Sequence, residues 1–131
     1  MTKEEFEIFK SLKEKLENEV IELFRYIKDK YIDVLAFGRF AGYHHYGMED
    51  DIIWIEYYDY GYDCYDSRCI DIPINDFLSD PFKWADNWAS DIRMKKQKER
   101  ENAIKEKEKK EKEELQRLKD KYEKNNYDTG R

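Results

Sequence analysis

Four side chains in this sequence are of the types that bind zinc. They are two adjacent histidines, His44 and His45, and two cysteines, Cys64 and Cys69. Structural zinc sites usually take their ligands in close pairs on a turn, whereas adjacent residues of an extended chain point to opposite sides. The spacing therefore disfavours a zinc site or a Cys64–Cys69 disulfide unless a turn near Asp66–Arg68 loops the segment. We predict no metal and no other cofactor.

Several carboxylates near these histidines are candidates for hydrolytic chemistry, among them Asp59, Asp63 and Asp66. Catalytic carboxylates need an enclosing pocket that moves their pKa values apart. The small sheet and the long helix predicted below leave little room for such a pocket. The sequence also carries no phosphate-binding loop, nucleophile elbow or zinc-protease motif. We therefore predict that the protein is not an enzyme and assign no catalytic residue.

The densest group of reactive side chains is the segment 43–66, which contains seven tyrosines and seven acids. Tyrosine offers a large contact area at a low cost in rotamer entropy and is enriched at protein interfaces. Carboxylates between such rings bind Arg and Lys through charge-assisted hydrogen bonds. The segment therefore predicts a docking surface for a basic protein, including one built to bind nucleic acid. The expected partner-binding residues are Asp50, Asp51, Tyr57, Tyr58, Asp59, Tyr60, Tyr62, Asp63 and Asp66.

An alternative for this segment stays open. In a half-buried strand every second residue faces the core, so half of the tyrosines would pack inside while the acids keep the protein soluble. Under the docking interpretation, replacing Asp59, Asp63 and Asp66 by Asn is expected to weaken partner binding while leaving the melting temperature nearly unchanged.

The charges are sorted into blocks along a chain of formal net charge −6. Residues 49–91 carry 12 acids and two basic side chains, Arg68 and Lys83, so this block repels nucleic acid. Residues 92–124 carry 14 basic side chains interleaved with nine acids, and no aromatic residue for base stacking lies between Arg93 and Arg117. We therefore disfavour direct nucleic-acid binding and keep it as the alternative function of this basic block.

The spacing of apolar residues predicts an α+β fold. Residues 2–31 carry them at three- and four-residue steps, which predicts an amphipathic helix whose stripe packs in the core. Thr2 and Glu5 fit a capping box at its start. Strands are predicted in 34–43, 52–58 and 70–74, with turns at 43–51 and 59–62, forming an antiparallel meander that covers the helix. The stripe consists of Phe6, Phe9, Leu12, Leu16, Val20, Leu23, Phe24, Ile27 and Tyr31.

A second, long helix is predicted to begin at Asp80-Pro81. Trp84, Trp88 and Ile92 should dock its first part on a compact domain of residues 1–92. Residues 93–124 lack a core-facing stripe, but opposite charges four residues apart support a solvated helix, and residues 125–131 should fray. Leu115, Leu118 and Tyr122 form a short apolar seam that would pair two copies in a possible homodimer.

Charged residues make up 43% of the chain, and no apolar run approaches the ~20 residues of a membrane-spanning helix. The first residues also lack the pattern of a signal peptide. Two cysteines in so polar a chain do not indicate a disulfide scaffold. We therefore expect no membrane contact and a location in the cytoplasm.

Taken together, the layout resembles that of small bacteriophage-encoded proteins of the anti-CRISPR or host-takeover type. The resemblance rests on the order of elements, with a Tyr-rich meander closing on Ile70–Ile74, the junction Phe77–Pro81 and a Trp-bearing charged helix. It covers most of the chain but includes no motif with known chemistry. It implies an inhibitor in the host cytoplasm that mimics nucleic acid and occupies a basic host protein, such as a CRISPR effector.

Overall fold

The computed structural model describes the backbone of residues 1–35, 40–61 and 65–129, and the side chains of these residues up to 124 except that of Tyr65. The predicted α+β fold is confirmed: an N-terminal helix, a three-stranded antiparallel sheet and a long C-terminal helix. The elements are α1 (Lys3–Lys30), α2 (Ile32–Leu35), β1 (Phe40–Glu49), β2 (Ile52–Tyr60), β3 (Tyr65–Pro73), α3 (Ile74–Ser79) and α4 (Pro81–Thr129).

Helix α1 begins at the predicted cap. The amide of Glu5 donates to Thr2 Oγ1 at 3.1 Å, and the Thr2 hydroxyl donates to Glu5 Oε1 at 3.1 Å. This arrangement satisfies one of the amides that lack a partner within the first turn. The far half of the helix supplies the core residues Val20, Leu23, Phe24 and Ile27.

The prediction that the whole apolar stripe of α1 is buried is wrong for its first turns. Phe6, Phe9 and Leu12 are each more than half exposed. A helix of 28 residues is about 42 Å long, whereas strands of nine or ten residues reach about 30 Å. The sheet is therefore too short to cover the stripe from end to end.

The sheet has the order β1-β2-β3, and its first hairpin is tighter than predicted. Residues 43–49 were expected in a turn but belong to β1, and the turn consists of Asp50 and Asp51 alone. Asp50 has a φ of 53°, a left-handed conformation that Asp tolerates and that two-residue hairpin turns require. This turn sets the register by pairing Glu49 with Ile52.

The other strand boundaries also differ from the prediction. Val34 and Leu35, expected to begin the first strand, belong to the short helix α2. Asp59 and Tyr60, expected in a turn, are the last residues of β2. The third strand begins at Tyr65 rather than Ile70, because its pairing with β2 continues to the end of that strand.

The core lies between the inner face of the sheet and the helices of the compact unit Met1–Ile92. Its sheet residues alternate, as a half-buried strand requires, and its α4 residues are Ala85 and Ala89. Trp84 and Trp88 pack against this core with their rings stacked, the centroids 5.8 Å apart. The sheet residues of the core are Ala41, Ile53, Ile55, Tyr57, Ile70 and Ile72.

A polar cluster joins α1 to the first turns of α4. Tyr26 Oη donates to Asp86 Oδ1 at 2.7 Å, and the hydroxyl of Tyr31 donates to the same oxygen. Lys30 Nζ lies 3.3 Å from it. These contacts hold the pKa of Asp86 below its ordinary value, with the Tyr31 hydrogen bond as the largest cause, and they raise the pKa of Lys30.

The second compact unit, Arg93–Arg131, contains the rest of α4. Nearly all of its described side chains are exposed, including Leu115, Leu118 and Tyr122. Contacts within the helix include a hydrogen bond from Gln116 to Asp120 and an ion pair of 2.6 Å between Arg117 and Glu114. Among the described residues, no helix has the length and apolar character needed to cross a membrane.

Candidate functional site

The predicted partner-binding residues of β2 lie on both faces of the sheet. Successive side chains of a strand point to opposite faces, and β2 alternates between buried and more exposed positions from Ile53 to Tyr60. Tyr57 and Asp59 therefore face the core, whereas Tyr58 and Tyr60 face outward. Tyr57 thus packs inside, as the alternative left open by the sequence expects, whereas the burial of Asp59 was expected by neither interpretation.

Tyr57 and Asp59 have structural roles in the core. Tyr57 is 4% exposed, its hydroxyl donates to the carbonyl oxygen of Leu35 at 2.9 Å, and burial raises its pKa to about 12. Asp59 is 5% exposed and lies 3.2 Å from Arg68 Nε. We remove both residues from the docking set, and replacement of Asp59 is expected to lower the melting temperature rather than leave it unchanged.

Three further predicted residues, all within the described part of the chain, lie at the ends of the sheet. Asp50 and Asp51 are exposed in the β1–β2 turn, and Asp66 is exposed near the start of β3, paired with Asp59. Tyr62 and Asp63 lie outside the described residues. The structure thus leaves Tyr58, Tyr60 and these three acids available for binding.

The outward side chains of the three strands form a surface that we call the outer sheet face. Tyr60 is 43% exposed and Phe40, its partner on β1, is 66% exposed. Trp54 and Tyr58 are half-buried because they lie against neighbours on the same face. The large aromatic, histidine and acidic residues of the outer sheet face are Phe40, His44, His45, Glu49, Trp54, Glu56, Tyr58, Tyr60 and Asp71.

Two glycines of β1 make room for these rings. A Cβ at Gly47 would lie 2.1 Å from the Trp54 ring, and one at Gly42 would lie 3.0 Å from the Tyr60 ring. Gly47 falls in the segment 43–51 that was expected to be a turn, but it lies within β1 and allows the Trp54 indole to lie across it. The glycines therefore fix where the aromatic rings sit.

The charge of this surface has one sign. Between residues 40 and 73 the sequence has eight acids and one Lys or Arg side chain, Arg68. Arg68 pairs with Tyr57 in the register and so belongs to the inner face. The outer sheet face carries Glu49, Glu56 and Asp71, and the turn acids stand at its end.

The two histidines lie on the same face, contrary to the argument from the sequence. The register between β1 and β2 shifts between Tyr43 and His45, so that His44 occupies a β-bulge. A bulge places an extra residue opposite one partner and re-aims its side chain. The His44 and His45 rings are 4.5 Å apart between centroids, and ligand atoms of both lie within 4.8 Å of one another and of a Glu56 oxygen.

The cysteines do not join this group within the described chain. Cys69 is an exposed free thiol opposite Glu56 on β3, and partial burial together with the charges of Glu56 and Asp71 raises its pKa. Cys64 lies outside the described residues.

Several residues of the outer sheet face were missed by the sequence analysis, namely Phe40, Glu49, Trp54, Glu56 and Asp71. The signal that would have found them is the alternation of β2, since Trp54, Glu56, Tyr58 and Tyr60 are spaced by two. Grouping residues by sequence proximity instead mixed the two faces.

Comparisons with known proteins identify no relative of this chain. No protein-family model matches the chain, and neither a curated protein nor a solved structure matches it.

Proposed function

We propose that the protein is a non-enzymatic binding module that docks its outer sheet face on a basic, nucleic-acid-binding protein. The observation that carries this proposal is the composition of that face. Exposed aromatic rings lie beside carboxylates on the outward positions, while Arg68, the one Lys or Arg of the strands, faces inward. Such a surface complements a groove lined with Arg and Lys.

Aromatic anchors and carboxylates have separate tasks in this proposal. The Trp54 and Tyr58 rings are already held against neighbouring groups, so little side-chain freedom remains to be lost on binding. Rigid aromatic residues of this kind often supply most of an interface's free energy. The acids steer a basic partner toward the face and exclude nucleic acid and acidic proteins.

The phage-like layout extends the proposal to inhibition. A face that presents carboxylates where a nucleic acid presents phosphates would block a basic groove. We therefore propose an inhibitor that acts in the host cytoplasm on a nucleic-acid-binding protein such as a CRISPR effector. The layout and the charge of residues 49–91 support this extension.

The proposal is tested by capture from host lysate with a matched pair of variants. The test variant combines D50N, D51N and D71N, and the control combines E7Q, E14Q and D29N on exposed positions of α1. Both variants change the net charge equally. We expect the wild type and the control to retain one basic protein, the test variant to lose it, and duplex DNA to displace it.

Equal retention of the partner by the test variant and the control would overturn the docking proposal. Retention that excess DNA does not reduce would have a narrower consequence. The second outcome alone would leave a protein-binding face that does not compete with nucleic acid, and so would reject mimicry.

The seam of α4 supports a second candidate function in assembly. Leu115, Leu118 and Tyr122 are exposed apolar side chains within one turn or two of each other. Such a patch on a charged helix fits a short helix pair between two copies. Sedimentation velocity should show a concentration-dependent dimer that L115A/L118A abolishes, whereas a monomer at all concentrations would exclude this role.

Direct binding of nucleic acid by residues 93–124 is the remaining alternative. It predicts a gel shift that weakens steeply with salt, because released counterions drive such binding. A shift that disappears when the chain is truncated after Ile92 would support it, and the docking proposal predicts no shift.

A further inference from the structure

The outer sheet face also contains a cluster of metal-donor atoms, of which the docking proposal draws only on the charge of Glu56. Its members are His44 and His45 on β1 and Glu56 on β2, and one ligand atom of each lies within 4.8 Å of the other two. The register of the sheet explains the cluster, because His45 pairs with Glu56 and the bulge at His44 brings the second imidazole beside the first. A regular strand would have sent one of them to the core.

The distance between two donor atoms of the cluster already matches the distance between neighbouring ligand atoms around a bound metal. In a tetrahedral zinc site, bonds of about 2.0–2.2 Å place neighbouring ligand atoms about 3.4 Å apart. His45 Nε2 and Glu56 Oε2 are separated by 3.2 Å. A ligand atom of His44 lies within 4.8 Å of one on each of these residues, and its ring is exposed at the protein surface.

Neighbouring residues orient these donors. The Ser67 hydroxyl donates to Glu56 Oε1 at 2.8 Å, which leaves Oε2 directed at His45. The His44 ring lies against the Tyr58 ring, with 4.8 Å between centroids. Such outer partners fix the geometry of metal ligands and commonly matter nearly as much as the ligands themselves.

The donor set selects the kind of metal. Two imidazoles and one carboxylate suit zinc, copper or nickel, whereas magnesium and calcium prefer sites made of oxygen ligands. Three protein ligands leave at least one position of a tetrahedral ion for water or for a group of another molecule.

From this geometry we propose that His44, His45 and Glu56 form a binding site for a divalent transition metal, with zinc as the expected ion. Ser67 is a positioning residue for Glu56. The site does not depend on the docking proposal, because its ligands all come from one chain.

The site is tested by titrating the full chain with zinc chloride near neutral pH. Calorimetry should give one zinc per chain. The chain has two histidines, so NMR of the imidazole groups reports both ligands without ambiguity, and both should shift together and saturate together.

Single substitutions distinguish the proposed zinc ligands from other residues of the same face. H44Q, H45Q and E56Q should each weaken zinc binding about tenfold or more, and S67A should weaken it about tenfold through the loss of orientation. D71N, which removes another carboxylate of the same face, is the control and should bind zinc as the wild type does. The melting temperature of each variant without metal verifies that it is folded.

Zinc bound by thiols is the main competing outcome, and C64S/C69S distinguishes it. This variant should retain full affinity. Loss of binding in C64S/C69S, unchanged binding in both histidine variants, a response of only one imidazole, or no binding at micromolar zinc would each overturn the proposal.

Discussion

At the scale of single residues, burial rather than residue type decides whether a charged side chain stabilises the fold or is free to bind. Asp59 and Asp66 are paired across β2 and β3, yet Asp59 is buried against Arg68 and Asp66 is exposed near the sheet's end. The same residue type in the same pair therefore has two roles.

The first prediction concerns this contrast. D59N removes the charge that faces the Arg68 guanidinium and should lower the free energy of unfolding by about 2–3 kcal/mol, because breaking a largely buried ion pair leaves a charge without compensation. D66N should change it by less than about 0.5 kcal/mol. Urea unfolding of the two variants measures the difference, and equal stabilities would contradict the structural role of Asp59.

The second prediction follows from Tyr57. Its pKa is raised to about 12 by burial, whereas in the unfolded chain it ionises near about 10. The native state therefore keeps a proton that the unfolded state loses, so stability should fall as the pH rises from about 10 to 12. Thermal melts across this range should show a smaller decline for Y57F, and an identical decline would show that Tyr57 does not ionise on unfolding.

Some residue roles were accessible from the sequence and others were not. The Thr2 cap was predicted because it depends on neighbours three residues away. The roles of Asp59 and of the two histidines depend on register, and the bulge at His44 has no signature in the composition of β1. One additional residue in a strand moves every following side chain to the opposite face of the sheet.

At the scale of elements, two contacts hold the parts of the compact unit in place. One is the polar cluster around Asp86, which connects α1 with α4, and the other is the close approach of β1 and β2 at Gly47. The long-range contact was not visible in the sequence, since Tyr26 and Asp86 are 60 residues apart.

The third prediction tests the Asp86 cluster. D86N removes the charge that accepts from Tyr26 and Tyr31, so we expect a loss of about 1 kcal/mol, a modest value because the carboxylate is 40% exposed. The pKa of Asp86 is lower in the native state than in the unfolded chain. The carboxylate therefore stabilises the fold at pH values above its unfolded-state pKa, and this stabilisation is lost as the pH falls through its native-state pKa. The wild type and D86N should therefore converge in melting temperature below about pH 4. A constant difference would contradict this linkage.

The fourth prediction tests the packing at Gly47. G47A places a methyl group where the Trp54 ring lies, so the indole must rotate outward and the hairpin should lose about 1 kcal/mol. In the W54A background the same substitution should cost little, because the clashing ring is absent. If the two backgrounds respond equally in urea unfolding, the ring does not lie across Gly47.

Elements were predicted better than their ends. The period of the apolar residues identified α1, because burial imposes that period directly. The β-branched and aromatic residues of 52–58 identified β2, and the long helix was identified by its Asp80-Pro81 start and by opposite charges four residues apart. The extent of β1 was underestimated, since residues 43–49 have the Gly, His and Tyr content of a loop and become a strand only by pairing with β2. Tertiary pairing outweighed local propensity.

At the scale of the whole molecule, the chain separates its charges between its two compact units. Residues 49–91 carry the acids of the sheet and its surroundings, and residues 93–124 carry the basic helix. The sequence alone established this separation, because counting charges needs no coordinates. The register of the sheet was needed to identify the acids that share a face with aromatic rings. This part of the candidate site could not be predicted from the sequence.

The central claim is that the carboxylates and rings of the outer sheet face bind a basic partner. The most direct test is the affinity of the captured partner for the wild type, for D50N/D51N/D71N and for the control E7Q/E14Q/D29N, measured at several salt concentrations. We predict that the first variant binds at least about tenfold more weakly, since each tenfold step is about 1.4 kcal/mol, and with a shallower dependence on salt, while the control matches the wild type. Equal affinities and equal salt dependence for all three proteins would contradict the claim.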